Sequence, residues 1–190
     1  MKIPIEVNAR HIHLSQTDLD KLFGNNYQLT VLKKISQVNQ FAACETITIK
    51  GPRNTIFNVR IVGPLRAQTQ LEITITDSYF LGIVPPPILL SGQLEKSSGG
   101  LTICGPKGEV KLNRGVIVNQ RHLHIEPEKA KLLNIKDNQI VSIKTTGTRP
   151  IIFQNIIVRS NKNKDNLSFQ IDTDEANAAG IKSGDYGEIV

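Results

Sequence analysis

Tryptophan is absent from this 190-residue chain, and only 5% of its residues are aromatic. Without aromatic platforms, and with lysines scattered rather than gathered in blocks, the sequence argues against a nucleic-acid partner. There are two cysteines, Cys44 and Cys104, far apart and neither in a Cys-x-x-Cys pair, which excludes a zinc ribbon and a dithiol redox motif. Each is read as a free, buried thiol. No stretch approaches the roughly 18 apolar residues of a membrane span. The opening Met1-Lys2-Ile3-Pro4-Ile5-Glu6 has neither a long apolar run nor a cleavage site. The expectation is a cytoplasmic protein with no membrane partner.

Acids are the minority among the charges: 17 Asp and Glu stand against 23 Lys and Arg, a net charge of +6. That balance suits a polyanionic, phosphate-rich small molecule. A hydrophobic content of 39% is enough to build a core in one large domain or two small ones.

Histidine is scarce too, and its placement is informative. All four copies fall in a stretch that occurs twice, Arg10-His11-Ile12-His13-Leu14 and Arg121-His122-Leu123-His124-Ile125. Each copy follows a Val-Asn pair, Val7-Asn8 and Val118-Asn119, and each precedes a polar turn. In a strand, residues two apart share a face, so each His-x-His sets two imidazoles about 6.5 to 7 Å apart along the chain. Their rings can converge on one ion at Zn–N distances of about 2.0 to 2.1 Å. Imidazole suits zinc, iron, nickel or cobalt better than calcium or magnesium. The pattern predicts an internal duplication carrying metal sites.

The surrounding elements repeat as well. Alternation over residues 3–7 predicts a strand leading into the first pair. Ser15 with Asp18 three residues on then caps a helix carrying Leu19, Leu22 and Phe23. Val116-Ile117-Val118 enters the second pair, and a helix with Pro127 in its first turn follows. Strands are predicted at 29–35, 45–50, 55–62, 101–104, 108–112, 140–144, 151–159, 167–172 and 186–190, with a polar turn at 161–166. A fainter repeat relates residues 133–139 to 179–185, each a helix end, a tight turn and a strand start. The segment 84–100, with Pro85-Pro86-Pro87 and Ser97-Ser98-Gly99-Gly100, is the natural crossing between halves. The fold expected is mainly β: two small β-barrels capped by short helices and related by internal duplication, one over 1–90 with His11, His13 and Glu72, the other over 91–190 with His122 and His124, with an approximate boundary and room for the barrels to exchange strands.

Two imidazoles do not complete a catalytic zinc site, which takes three protein ligands and leaves one position open. Leu71, Ile73 and Ile75 alternate with Glu72, Thr74 and Thr76, so a strand through residue 76 would present Glu72 on its polar face. Arg66 shares that face if the strand begins early enough, and its guanidinium can grip phosphate bidentately. Gln170 is presented on the polar face of 167–172, opposite Leu167, Phe169 and Ile171.

Five collinear blocks, Ile5 to Leu14, Gly63 to Thr76, Gly105 to Leu112, Gly115 to His124 and Ile171 to Gly180, make the chain resemble the phosphate propanoyltransferases, phosphotransacylases of the propanediol-utilisation type. The resemblance implies two β-barrels with a dinuclear zinc centre between them. The implied reaction is a reversible exchange of acyl-CoA and phosphate for acyl phosphate and CoA, with a short propanoyl or acetyl group. His11, His13 and Glu72 would hold one zinc, His122 and His124 the second, and Arg66 the phosphate. The family has a third histidine where this chain has Gln170, a weaker zinc ligand, so the second metal is expected to be loosely held, replaced by a harder ion, or absent. The alternative reading is a catalytically weakened metal- or CoA-binding protein that lost its second site through Gln170. A homodimer is the oligomer expected. Some relatives carry an N-terminal extension that directs them to bacterial microcompartments, and no such extension is seen before the first strand here.

Overall fold

The computed structural model describes residues 1–160 and 166–190. In chain order the elements begin β1 (Lys2–Asn8), β2 (His11–His13), α1 (Gln16–Phe23), β3 (Val31–Lys34), β4 (Phe41–Lys50) and β5 (Thr55–Gly63). They continue as β6 (Gln70–Glu72), α2 (Ile75–Leu81), β7 (Ile88–Leu89), β8 (Leu101–Cys104), β9 (Glu109–Leu112) and β10 (Val116–Asn119). The last stretch holds β11 (His122–His124), α3 (Pro127–Leu132), β12 (Ile140–Thr145), β13 (Ile152–Arg159), β14 (Ser168–Asp172), α4 (Thr173–Ala179) and β15 (Tyr186–Ile189). The mainly-β expectation holds. Among the described residues no helix is long and apolar enough to cross a membrane.

Two compact units result, each with its own core. One comprises residues 1–9, 36–38 and 120–190 and is a closed barrel in the order β1-β14-β11-β13-β12-β15 around Ile3, Ile5, Leu123, Val158 and Phe169. The other comprises residues 10–35 and 39–119 and is a curled nine-stranded sheet, β7-β10-β6-β2-β5-β4-β8-β9 with β3 on β4, around Ile12, Leu19, Ile49, Ile61 and Leu71. The sequence pattern divides the chain approximately at residue 90, whereas the chain passes between the units at 9/10, 35/36, 38/39 and 119/120. The reason is strand exchange. β1 pairs with β14 and β15, while β10 pairs with β6 and β7, so the strand leading into each histidine pair belongs to the sheet of the other half. The segment 84–100 is therefore not the crossing. It lies within the sheet unit, where Ile88 pairs with Val118 and Ser98 bridges to Val116.

The duplication extends to register. β2 runs parallel to β5 and antiparallel to β6, with His11 opposite Glu72 and His13 opposite Gln70. β11 runs parallel to β13 and antiparallel to β14, with His122 opposite Gln170 and His124 opposite Ser168. Glu72 and Gln170 thus occupy the same position in the two copies. Three-residue strands are easily slipped, but Ile12 and Leu123 are fully buried, each worth about 1.5 to 3 kcal/mol. A one-residue slip would expose them and drive the imidazoles into the core, so these apolar residues pin the register.

A helix follows each third-ligand strand. The strand predicted through residue 76 stops at Glu72, because Thr74 caps α2: its hydroxyl accepts from Asp77 N while the Asp77 carboxylate accepts from Thr74 N. Asp172 and Glu175 make the same capping box at α4. Both helices end on a left-handed glycine, Gly82 (φ 81°) and Gly180 (φ 62°). The fainter repeat is also structural, with Asn134 and Asn138 at positive φ where the later copy has Gly180 and Gly184. Cys44 is exposed and Cys104 half-buried, against the expectation of buried thiols; both are free. Cys44 sits on a face of β4 that the core does not cover. The turn predicted at 161–166 lies, apart from Asn166, outside the described residues.

Candidate active site

In the sheet unit the predicted residues come together. His11, His13 and Glu72 each offer a ligand atom, and the three atoms lie within 4.8 Å of one another. The two rings meet edge-on with centroids 5.2 Å apart, and His11 Nε2 is 3.5 Å from Glu72 Oε2. His13 Nδ1 lies 2.9 Å from the Val62 carbonyl oxygen, so Nδ1–H donates there and Nε2 keeps its lone pair. Burial first, then the charges of His11 and Arg66, push the His13 pKa down to about 2. The ring is therefore neutral at any physiological pH, as a metal ligand must be.

Glu72 is 4% exposed. Its Oε1 accepts from Gln70 Nε2 at 2.5 Å and from Ser91 Oγ at 2.9 Å, while its buried Oε2 has no hydrogen-bond partner. A buried carboxylate oxygen with no donor is costly unless a cation satisfies it. The donor set, two imidazole nitrogens and one carboxylate oxygen, is one that catalytic zinc takes with a fourth position open. These residues fit the metal that the sequence implied.

Arg66 does not stand on the strand, since β6 begins only at Gln70. It reaches the site from the preceding loop, with its N–H donating to the Leu14 carbonyl at 2.9 Å and its Nη1 to Ser91 Oγ at 3.0 Å. Ser91 thereby links Arg66 to Glu72. Arg10, the first residue of the motif, clamps the α2 cap, with Nε 2.9 Å from both oxygens of Asp77.

The second copy shares this architecture with different chemistry. His122 Nδ1 lies 2.8 Å from the Gln120 carbonyl, and His122 Nε2 is 3.1 Å from His124 Nε2. At that distance the two rings are hydrogen-bonded to each other. Arg121 Nε pairs with Glu175 at 2.7 Å, the counterpart of Arg10 with Asp77. Burial pushes the Glu175 carboxyl up to about 7 against the opposing pull of Arg121.

Gln170 breaks the likeness. Its Nε2 donates to Glu6 Oε2 at 2.8 Å, and its Oε1 accepts from Asn8 Nδ2 at 3.0 Å. A carboxylate only accepts, so Glu6 fixes which end of the amide faces it. Ser36 Oγ donates to the same Glu6 oxygen at 2.6 Å. Gln170 is thus engaged by Asn8 and Glu6, and among the described residues no third His, Cys, Asp or Glu joins His122 and His124.

Ser91, Gln70, Asn8 and Glu6 were not singled out from sequence. Gln70 was findable, because it lies two residues from Glu72 on one strand and so shares its face. Ser91 was concealed by the proline run before it, which reads as a linker.

Comparison with known proteins follows the same residues. A model of the family described as phosphate propanoyltransferase matches residues 4–182, which takes in both histidine pairs, Arg66, Glu72 and Gln170. The chain is 45% identical over 189 residues to the phosphate propanoyltransferase of Thermotoga maritima, covering 99% of this chain and 89% of that protein. It is 42% identical over 188 residues to that of Clostridioides difficile, with 99% and 88% covered, and 40% over 190 residues to that of Alkaliphilus metalliredigens, with 100% and 88%. Similarity of that degree over nearly the whole chain means that the chain belongs to the phosphate propanoyltransferase family.

Proposed function

We propose that this acyltransferase moves a short acyl group between coenzyme A and inorganic phosphate, using one metal held by His11, His13 and Glu72. The observation that carries this reading is the convergence of three ligand atoms within 4.8 Å, joined to Arg66 through Ser91. Arg66 binds phosphate through its guanidinium fork and aims one oxygen at the thioester carbonyl carbon. A C–O bond forms, the C–S bond breaks, and the proton of hydrogen phosphate ends on the departing thiol. When bound, zinc supplies a Lewis acid for the negative charge that develops on oxygen and sulfur. Phosphate is its own nucleophile, and Cys44 and Cys104 lie outside the ligand cluster, so no acyl-enzyme is invoked.

The test is thiol release from propanoyl-CoA and acetyl-CoA. Release is expected to require phosphate, to disappear after exhaustive chelation and to return with zinc. Phosphate-dependent turnover in protein verified to be metal-free would overturn the metal assignment. Both acyl groups are assayed because one methylene is worth only about 1 to 3 kcal/mol of discrimination.

Metal stoichiometry addresses the second copy. The protein is expected to hold one zinc per chain tightly, and the Gln170→His variant two, since that substitution supplies the third imidazole opposite His122. Two tightly bound equivalents in the unsubstituted protein would show that Gln170, or a residue near it, does ligate.

A further inference from the structure

Ser91 makes three side-chain hydrogen bonds, and its hydroxyl has one proton and two lone pairs to make them with. The proton goes to Glu72 Oε1 at 2.9 Å, and the lone pairs accept from Arg66 Nη1 at 3.0 Å and Gln70 Nε2 at 2.8 Å. The hydroxyl is therefore fully committed.

Its own position is secured independently. β7, two residues upstream, pairs with β10. Immediately downstream, Gly92 turns the chain at φ 96°, and its N–H donates to the side-chain oxygen of Gln70 at 2.8 Å. Gln70 is wholly buried, so its amide is a rigid bracket that holds the serine loop with its oxygen and holds Ser91 and Glu72 with its nitrogen.

Resting on the function proposed above, we propose that Ser91 is a positioning residue that couples the phosphate clamp to the metal ligand. Together with Gln70 it occupies Oε1 of Glu72, leaving Oε2 as the oxygen turned to His11. The same hydroxyl holds Arg66 Nη1, so the guanidinium and the ligating carboxylate are set at a fixed offset. Outer partners of this kind orient metal ligands, and their removal costs about 10- to 100-fold in metal affinity or activity.

The test compares Ser91→Ala with Ser91→Thr, which keeps the hydroxyl. Zinc affinity is measured by chelator competition without substrates, and KM is measured separately for phosphate and acyl-CoA. Ser91→Ala is expected to weaken zinc about tenfold and raise the phosphate KM about tenfold, with the acyl-CoA KM within about twofold of the parent. Ser91→Thr is expected to restore both. The proposal is overturned if Ser91→Ala keeps parental values for either zinc or phosphate, because coupling requires both to move, or if threonine restores neither. Should the parent protein release no thiol in a phosphate-dependent way, the function above fails by itself. Ser91 is then judged on zinc affinity and on calorimetric binding of inorganic phosphate to the zinc-loaded protein, by the same two-part criterion.

Discussion

Replacing Glu72 by glutamine is expected to abolish tight zinc binding at His11 and His13 and to lower kcat/KM by about 10³-fold. That factor corresponds to the several kcal/mol of charge stabilisation a metal contributes. The substitution is nearly isosteric. The amide oxygen can still accept from Gln70 and Ser91, the two donors now on Oε1. What it removes is Oε2, the buried oxygen with no hydrogen bond. The stability effects should therefore differ in sign with metal. In chelated protein the substitution removes a buried charge and sets an amide nitrogen in place of Oε2, beside His11 Nε2, which can accept from it, so the variant should melt no lower than the parent. Added zinc should raise the parent's Tm, by about 4 kcal/mol of linkage at a thousandfold excess over Kd, and leave the variant's unchanged. Thermal melts with and without chelator, alongside kcat/KM, check both halves. A Glu72→Gln protein with parental zinc affinity would remove Glu72 from the ligand set. The substitution also places at Glu72 the residue type that its register counterpart, Gln170, already has.

What was legible in the sequence was whatever a short window encodes. His-x-His on a strand fixes a shared face because the side-chain period is two, and the duplicated motif predicted a duplicated register, which β2 and β11 show. Serine and aspartate spacing revealed the α1 cap. The same kind of signal at Thr74 and Asp77 was masked, because Ile73-Thr74-Ile75-Thr76 is β-branched and alternates as a strand would, whereas the capping box overrides that propensity. Strand partners are not written locally at all. Nothing in Val116-Ile117-Val118 says that it will lie beside Leu71 rather than its own half's sheet, so an exchange of strands between the halves could be anticipated, but not that β1 and β10 would make it. The site divides in the same way. Glu72 was found by alternation, but the link from Arg66 to it runs through Ser91, 25 residues on. Gln170 was found by position, but its capture by Glu6 and Asn8 depends on β1 lying next to β14.

Arg66→Ala is expected to lower kcat/KM for phosphate by about 10²-fold, comparable to the loss of one donor aimed at developing charge. Arg66→Lys should recover part of this, because the charge remains while the bidentate fork is lost. The effect should be confined to phosphate. Ser91 can still donate to Glu72 Oε1, so zinc affinity is expected to stay at the parental value, unlike in Ser91→Ala. His13 gives a second reason. The Arg66 charge is one of the influences lowering its pKa, but burial is the largest, so the ring stays neutral and able to ligate without the arginine. The diagnostic result is therefore a raised phosphate KM with unchanged acyl-CoA KM and unchanged zinc content. Initial rates over a grid of both substrates, with metal analysis of the same samples, measure all three. An Arg66→Ala enzyme that kept parental kinetics for phosphate would take the clamp out of the mechanism. One that also lost zinc would mean that the guanidinium acts through the ligand cluster rather than on the anion.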